Sequence, residues 1–202
     1  MAKYFIDFEF IEGFHKPLFG KRRHFIDMIS VGIVSEDGRT YYAISNEFNP
    51  KDADQWVKDN VIAPICIDKS YSISDLKKHV GKSNNKIASD IASFFGCWQD
   101  GPINMAPEGI EVYGYYADYD WVLFCSLFGR MIDLPKGFPM YCRDLKQMFD
   151  DKISPSEIRS IGYDAAVERL KKKKGYPVQK DEHNALSDAK WDLELYKFLQ
   201  TF

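Results

Sequence analysis

Basic excess is missing from this chain: 27 Lys and Arg face 30 Asp and Glu, for a formal net charge of −3. A surface that binds polyanions through uniform positive charge is excluded, although local basic patches and a carboxylate-rich site are compatible with such a total. Cysteine is scarce and unpatterned. Cys66, Cys97, Cys125 and Cys142 include no CxxC spacing, which argues against a zinc ribbon or a disulfide scaffold and favours a reducing cytoplasm. No charged start leads into an apolar leader, and no run approaches the roughly 18 apolar residues of a membrane span. Internal repeats and low-complexity tracts are absent as well.

What the sequence does have is apolar and aromatic material. Hydrophobic residues make up 45% and aromatics 15% of 202 residues, enough to bury a core in a chain at the upper end of single-domain size. One domain over 1–202 is therefore expected.

Tyr4 to Phe10 reads as an aromatic-rich strand in which Asp7 and Glu9, two apart, share a face. Ile11 to His24, with Gly13, Pro17, Gly20 and the cluster Lys21-Arg22-Arg23-His24, reads as a loop without regular structure. Phe25–Val34 and Thr40–Ser45 form a hairpin around the turn Glu36-Asp37-Gly38. A short helix is expected over Asp52–Val61 with Asp52 or Asp54 near its start, and a longer one over Asn84–Phe95; the segment between them is unassigned. Ile110–Tyr115 reads as a strand, Asp120–Phe128 as a helix, Pro139–Cys142 as a short strand and Asp144–Phe149 as a short helix. Lys171–Lys174 is a basic run. The last helix, Asn184–Phe198, has an inner stripe of Ala185, Ala189, Leu193 and Tyr196. A hairpin followed by strand–helix alternation implies an α/β fold: a mixed sheet of about five strands flanked by helices.

Asp7 and Glu9 on one strand face offer oxygen ligands to a divalent cation, though an isolated pair of this kind is more often a wet strand edge. The interleaved Phe8 and Phe10 argue for a buried strand, where carboxylates need a metal or hydrogen-bond partners. Asp120 follows a strand and starts a helix, so by itself it reads as an N-cap; Asp118 competes with it for any functional role. His183 precedes a helix and Asp188 lies about one turn inside, beside the small Ala185 and Ala189.

Asp7-x-Glu9, Tyr119-Asp120 and His183-x-Ala-Leu-x-Asp188, in that order, resemble the three motifs of the DEDDh 3′-to-5′ exonucleases. The stretches Tyr4–Glu12 and Met28–Tyr42 are similar to the adenylate-preferring exoribonucleases called RNase AS, and Trp56-Val57 and Arg143-Asp144-Leu145 extend that similarity. The resemblance implies a ribonuclease H-like fold, two Mg²⁺ or Mn²⁺ ions held by Asp7, Glu9, Asp120 and Asp188, and His183 as general base. It implies contact of the terminal nucleotide with the backbone near Phe10 and with Ile29 or a neighbouring apolar side chain. It also implies a homodimer, to which Trp56, Trp98 and Trp121 are candidate contributors. Arg22, Arg23 and the lysine run could flank the cleft and hold phosphates, although a solvated charge run is the plainer reading of each. The substrate implied is single-stranded RNA. DNA is the alternative, separated only by contacts to the 2′-hydroxyl, and a non-catalytic binding module on the same fold is the alternative of another class.

Overall fold

The computed structural model describes residues 1–15, 19–100 and 103–202. Its five-stranded sheet comprises β1 (Ala2–His15), β2 (Arg23–Ser35), β3 (Thr40–Ile44), β6 (Ile110–Gly114) and β7 (Arg143–Asp144), in the order β3-β2-β1-β6-β7. β1 to β3 are antiparallel, while β6 and β7 run parallel to β1. The expected mixed sheet is present, as is the hairpin that precedes every helix.

A helical stretch follows β3, comprising α1 (Gln55–Val57), a π-helical turn (Lys58–Ile62) and α2 (Ala63–Lys69). Of the two acids proposed near its start, Asp54 is the cap, accepting from the Val57 amide. The helix does not end near Val61, because Val61, Ile62 and Ile65 are all buried against Ile11, Ile29, Ile44 and Phe48 and that apolar face carries it onward. The unassigned segment contains α3 (Ile73–His79), which Ser72 caps through the Asp75 amide. α4 (Asn84–Phe94), a small hairpin of β4 (Trp98–Asp100) and β5 (Ile103–Met105), and α5 (Asp118–Phe128) complete one side of the chain. α6 (Leu145–Asp150), α7 (Pro155–Ile161), α8 (Tyr163–Lys171) and the long α9 (Ala185–Leu199) follow β7.

Along β1 the period of two sorts the core. Tyr4, Ile6 and Phe8 pack with Ile87 and Ile91 of α4 and Phe124 of α5, whereas Phe5 packs with Tyr113 and Leu195 on the opposite face. A β-bulge sits where the site lies. Glu9 pairs with Ser30 and Phe10 with Met28, leaving Ile29 as the extra residue on β2, and bulges of this kind re-aim side chains beside active sites.

Three sequence-based expectations are corrected here. The Ile11–His24 segment is not a loop: β1 continues to His15 and β2 starts at Arg23, with pairs from Glu12–Ile26 to His15–Arg23. Stacking of His15 on Phe25, at 4.3 Å between centroids, supports this extension, and a pattern dominated by glycines and charge concealed it. The centre of that expectation, residues 16–18, lies outside the described residues. Pro139–Cys142 is not a strand; pairing with β6 begins at Arg143, opposite Tyr113. α5 starts two residues early, at Asp118, after Ala117, so Asp120 is not its cap.

Candidate active site

Four elements converge at the far end of β1. β6 pairs with β1 only as far as Phe5–Tyr113, so past that point one edge of β1 is left to other partners. The first turn of α5 takes part of it: the Phe8 amide donates to Asp120 Oδ1 at 2.7 Å, buried. Asp120 thus turns inward toward β1, whereas Asp118, its competitor in the sequence, is exposed.

On the other face α9 lies unusually close to the sheet. Gly32 pairs with Asp7, and a Cβ at Gly32 would stand 2.2 Å from the Ala185 carbonyl oxygen and 2.4 Å from the Leu186 nitrogen. Only glycine admits the helix at this distance. The approach brings carboxylate oxygens of Asp7, Glu9 and Asp188 within 4.8 Å of one another.

Asp188 also organises the chain before α9. Its Oδ2 accepts the His183 amide at 2.9 Å and its Oδ1 accepts Gln179 Nε2 at 2.7 Å. His183 is held at φ 66°, a left-handed conformation that a non-glycine residue adopts at a cost of about 1 kcal/mol or more and that marks functional sites. Its ring meets the Trp56 ring edge-on at 4.7 Å. Asn184 caps α9 through the Ser187 amide.

Charge is uncompensated here. Burial, followed by the charges of Asp120, Glu9, Asp188 and Asp192, pushes Asp7 well above the ordinary carboxylate range. Burial, with Asp188 and Asp120 nearby, raises Glu9 to about 8. Asp120 is raised to about 7, chiefly by burial and against the pull of the Phe8 amide, and Asp188 is raised by burial despite its hydrogen bonds. Among the described residues no Lys or Arg stands among the leading causes of these four shifts, and the one opposing charge is that of His183, at Asp188. Carboxylates packed in this way, offering only oxygen donors, fit a hard divalent cation, which would supply the missing positive charge.

Asp192 was not anticipated. It lies one helical turn after Asp188, 2% exposed; the Tyr115 backbone hydrogen-bonds it, and its Oδ2 has no partner among the described residues. The signal available in the sequence was the i, i+4 spacing from Asp188, which places both acids on one helix face.

The other expected residues are distributed differently. Phe10 and Trp56 border a cavity of about 400 Å³ lined by Glu9, Glu12, Phe14 and Val57. Ile29 is interior, 1% exposed in the cluster beneath that cavity, so its side chain offers no surface to a base; the bulge that makes it the extra residue turns it inward. Arg22 and Arg23 are exposed on the arm that β1 and β2 form beyond the bulge. The lysine run is not brought to the acidic cluster: Lys171 pairs with Glu168, and Lys173 lies over the Phe202 ring at 4.3 Å. Trp121 is core, stacked on Phe124 at 5.2 Å, which removes it as an interface candidate.

The raised carboxylates fix a pH dependence. Glu9 and its neighbours bind protons more tightly folded than unfolded, so between about pH 4.5 and about 8 the native state holds more protons and stability must fall as pH rises. Asp90 and Asp133, held low by their cationic partners, act below that window with the opposite sign. In chelator the melting temperature is therefore expected to decline from pH 5 to pH 8, and saturating Mg²⁺ should reverse the slope by binding the deprotonated cluster. A flat or rising profile in chelator would contradict this electrostatic picture.

A five-stranded mixed sheet carrying four acids and a histidine in this order fits the DEDDh-type exonuclease pattern that the motifs resemble. Residues 2–200 match the family model of the 3′-5′ exoribonuclease Rv2179c-like domain, and the chain belongs to that family of 3′-5′ exoribonucleases. It is 31% identical over 197 residues to the 3′-5′ exoribonucleases Rv2179c and MT2234.1 of two Mycobacterium tuberculosis strains, covering 98% of this chain and 92% of each relative. Its fold is similar to the nuclease domain of 3′hExo, a DEDDh family member bound to rAMP. That match has a TM-score of 0.55 and 12% identity and covers 99% of this chain and 92% of the other. The fold also resembles exonuclease I solved with an inhibitor, with a TM-score of 0.53, 14% identity, and coverage of 99% and 41%.

Proposed function

We propose that this chain, acting as one catalytic domain over its whole length, shortens single-stranded RNA from the 3′ end and releases nucleoside 5′-monophosphates. Asp7, Glu9, Asp120 and Asp188 would hold two divalent ions, Mg²⁺ or Mn²⁺. Bound there, the ions would neutralise the charge that builds up on the phosphoryl oxygens. The observation that carries this reading is the convergence of Asp7, Glu9 and Asp188, with no Lys or Arg paired to them among the described residues.

His183 is the general base in this reading. Its ring takes the proton of the attacking water, the water oxygen bonds to phosphorus, and the 3′ oxygen of the preceding nucleotide leaves and is protonated by solvent. The hydrogen bond from the His183 amide to Asp188 and the edge contact with Trp56 fix where that ring stands, and a positioned base contributes about 10²–10⁴-fold. The 400 Å³ cavity beside Glu9 has the size of a nucleotide seat, with Phe10 and Trp56 as its aromatic walls and the carboxylates of Glu12 and Asp54 also in its lining. Preference for adenylate and assembly as a homodimer are carried over from the RNase AS resemblance, and exposed Trp98 is available to an interface. Four free thiols suit a reducing compartment such as the cytoplasm, and among the described residues no helix is long and apolar enough to cross a membrane.

The test offers Mg²⁺ and matched 5′-labelled oligonucleotides: oligo(A) RNA, mixed RNA and their DNA equivalents. Stepwise 3′ trimming of RNA that stops on chelation is expected, fastest on the adenylate RNA. Faster trimming of DNA would transfer the chain to the alternative substrate. Binding without trimming of any substrate would reduce it to a binding module.

A further inference from the structure

From Phe10, a wall of the proposed nucleotide seat, a run of rings continues onto the arm beyond the bulge, and the catalytic reading does not use that continuation. Phe10 lies 5.7 Å from Tyr119 at the start of α5, Tyr119 lies 6.5 Å from His24, and His24 lies 5.5 Å from Phe14. The Arg22 guanidinium then sits over the Phe14 ring at 4.6 Å. The run begins beside Glu9 and ends about 13 Å further along β1, at the usual strand rise. It is open to solvent: Phe14 is 53% and Tyr119 43% exposed, and His24 and Arg22 are exposed too. Large rings left in water need an explanation when they line up.

One acid lies among them. Glu12 Oε1 is 2.7 Å from His24 Nε2 and makes a long contact, 3.5 Å, with the Tyr119 hydroxyl. Its charge is therefore engaged by the ladder and braces two of the rings. Among the described residues Phe14 belongs to none of the apolar clusters, and its neighbours are the His24 ring, the Arg22 guanidinium and the cavity beside Glu9.

Resting on the exoribonuclease reading, we propose that Phe10, Tyr119, His24, Phe14 and Arg22 form a stacking track for the bases upstream of the 3′-terminal nucleotide. Single-strand binders combine aromatic platforms with adjacent cations in this way, and each base stacked contributes about 1–3 kcal/mol. Stacking reads no sequence, so the track sets preference for substrate length rather than for base. A dinucleotide ends inside the cavity, at whose outer side Phe14 stands, and so engages less of the track than a ten-nucleotide RNA.

The experiment compares kcat/KM on a dinucleotide and a decanucleotide for wild type, Phe14→Ala, Phe14→Leu and Phe14→Tyr, with melting curves to show that all are folded. Phe14→Ala and Phe14→Leu should lose about tenfold on the decanucleotide, the equivalent of one stacked base. Because Phe14 also borders the cavity, the dinucleotide serves as the reference, and the loss on the decanucleotide should exceed the loss on the dinucleotide by several-fold or more. Phe14→Tyr should match wild type on both. Arg22→Ala should lower the salt dependence of decanucleotide binding by about 0.7 in log–log slope, the value for one phosphate contact on a single strand. Equal losses on both lengths, or full activity of Phe14→Leu on the decanucleotide, would overturn the track. Decanucleotide binding in chelator separates it from the exonuclease reading: weaker binding by Phe14→Ala upholds the track even if wild type trims nothing, and unchanged binding overturns it even if wild type trims normally.

Discussion

Asp7→Asn is expected to lose metal-supported turnover by about 10³-fold or more and, in chelator at pH 8, to melt a few degrees above wild type. The two effects share one cause. Asp7 sits between the core residues Ile6 and Phe8, paired with Gly32, and the charges of Asp120, Glu9, Asp188 and Asp192 all bear on it. Without a cation its carboxylate can only repel, so the nearly isosteric amide relieves the native state. About 1 kcal/mol of such relief corresponds to roughly 2–4 °C in a chain of this size. With a cation the balance inverts, because the amide lacks the charge that draws the ion in, and several kcal/mol of transition-state stabilisation are lost at tenfold per 1.4 kcal/mol. Melting curves with and without Mg²⁺ beside single-turnover rates read both effects. A variant that melts below wild type in chelator would mean that Asp7 is bound into the fold by hydrogen bonds, and would remove the electrostatic argument for the metal.

Gly32→Ala is expected to damage fold and activity together while touching no acid. The added methyl would stand 2.2–2.4 Å from backbone atoms of Ala185 and Leu186, whereas carbon atoms settle at about 3.5–4.0 Å. Backbone cannot swing aside as a side chain can, so the first turn of α9 must lift by about 1 Å. Overpacking of this kind costs about 1–3 kcal/mol, and a displacement of that size in a catalytic group can cost about 10²-fold in rate. Asp188 and His183, which ride on that turn, would move away from Asp7 and Glu9. Urea unfolding and the apparent Mg²⁺ affinity should both deteriorate. If stability and affinity stay at wild-type levels, α9 is not seated as described.

Much of the site was readable in advance because strand and helix periods are strict. Two acids spaced by two had to share a face of β1, and Asp188 had to lie inside the first turn of the last helix. Asp120 was identified for its chemistry but placed as the start of its helix, because nothing local distinguishes an acid that caps its own helix from one that accepts an amide from a strand 112 residues away. The arm was missed for a related reason. Glycines, a proline and clustered charge look like a loop, and only pairing with the facing strand makes Gly13–Phe25 and His15–Arg23 part of a ladder. Ile29 was expected at the substrate and lies in the core, since a bulge adds one residue to one strand and leaves no mark in the apolar pattern.

By itself, then, the sequence determined the α/β class and the order and spacing of the motifs, since these follow from local periodicity; the selection of acids and histidine came from the family resemblance those motifs carry. Tertiary structure alone decided the strand order β3-β2-β1-β6-β7, the contact of Gly32 with α9, the hydrogen bond of the Tyr115 backbone to Asp192 and the ring-lined arm. Each of these depends on two segments distant in the chain meeting at van der Waals or hydrogen-bond range, and a one-dimensional pattern contains no term for such meetings.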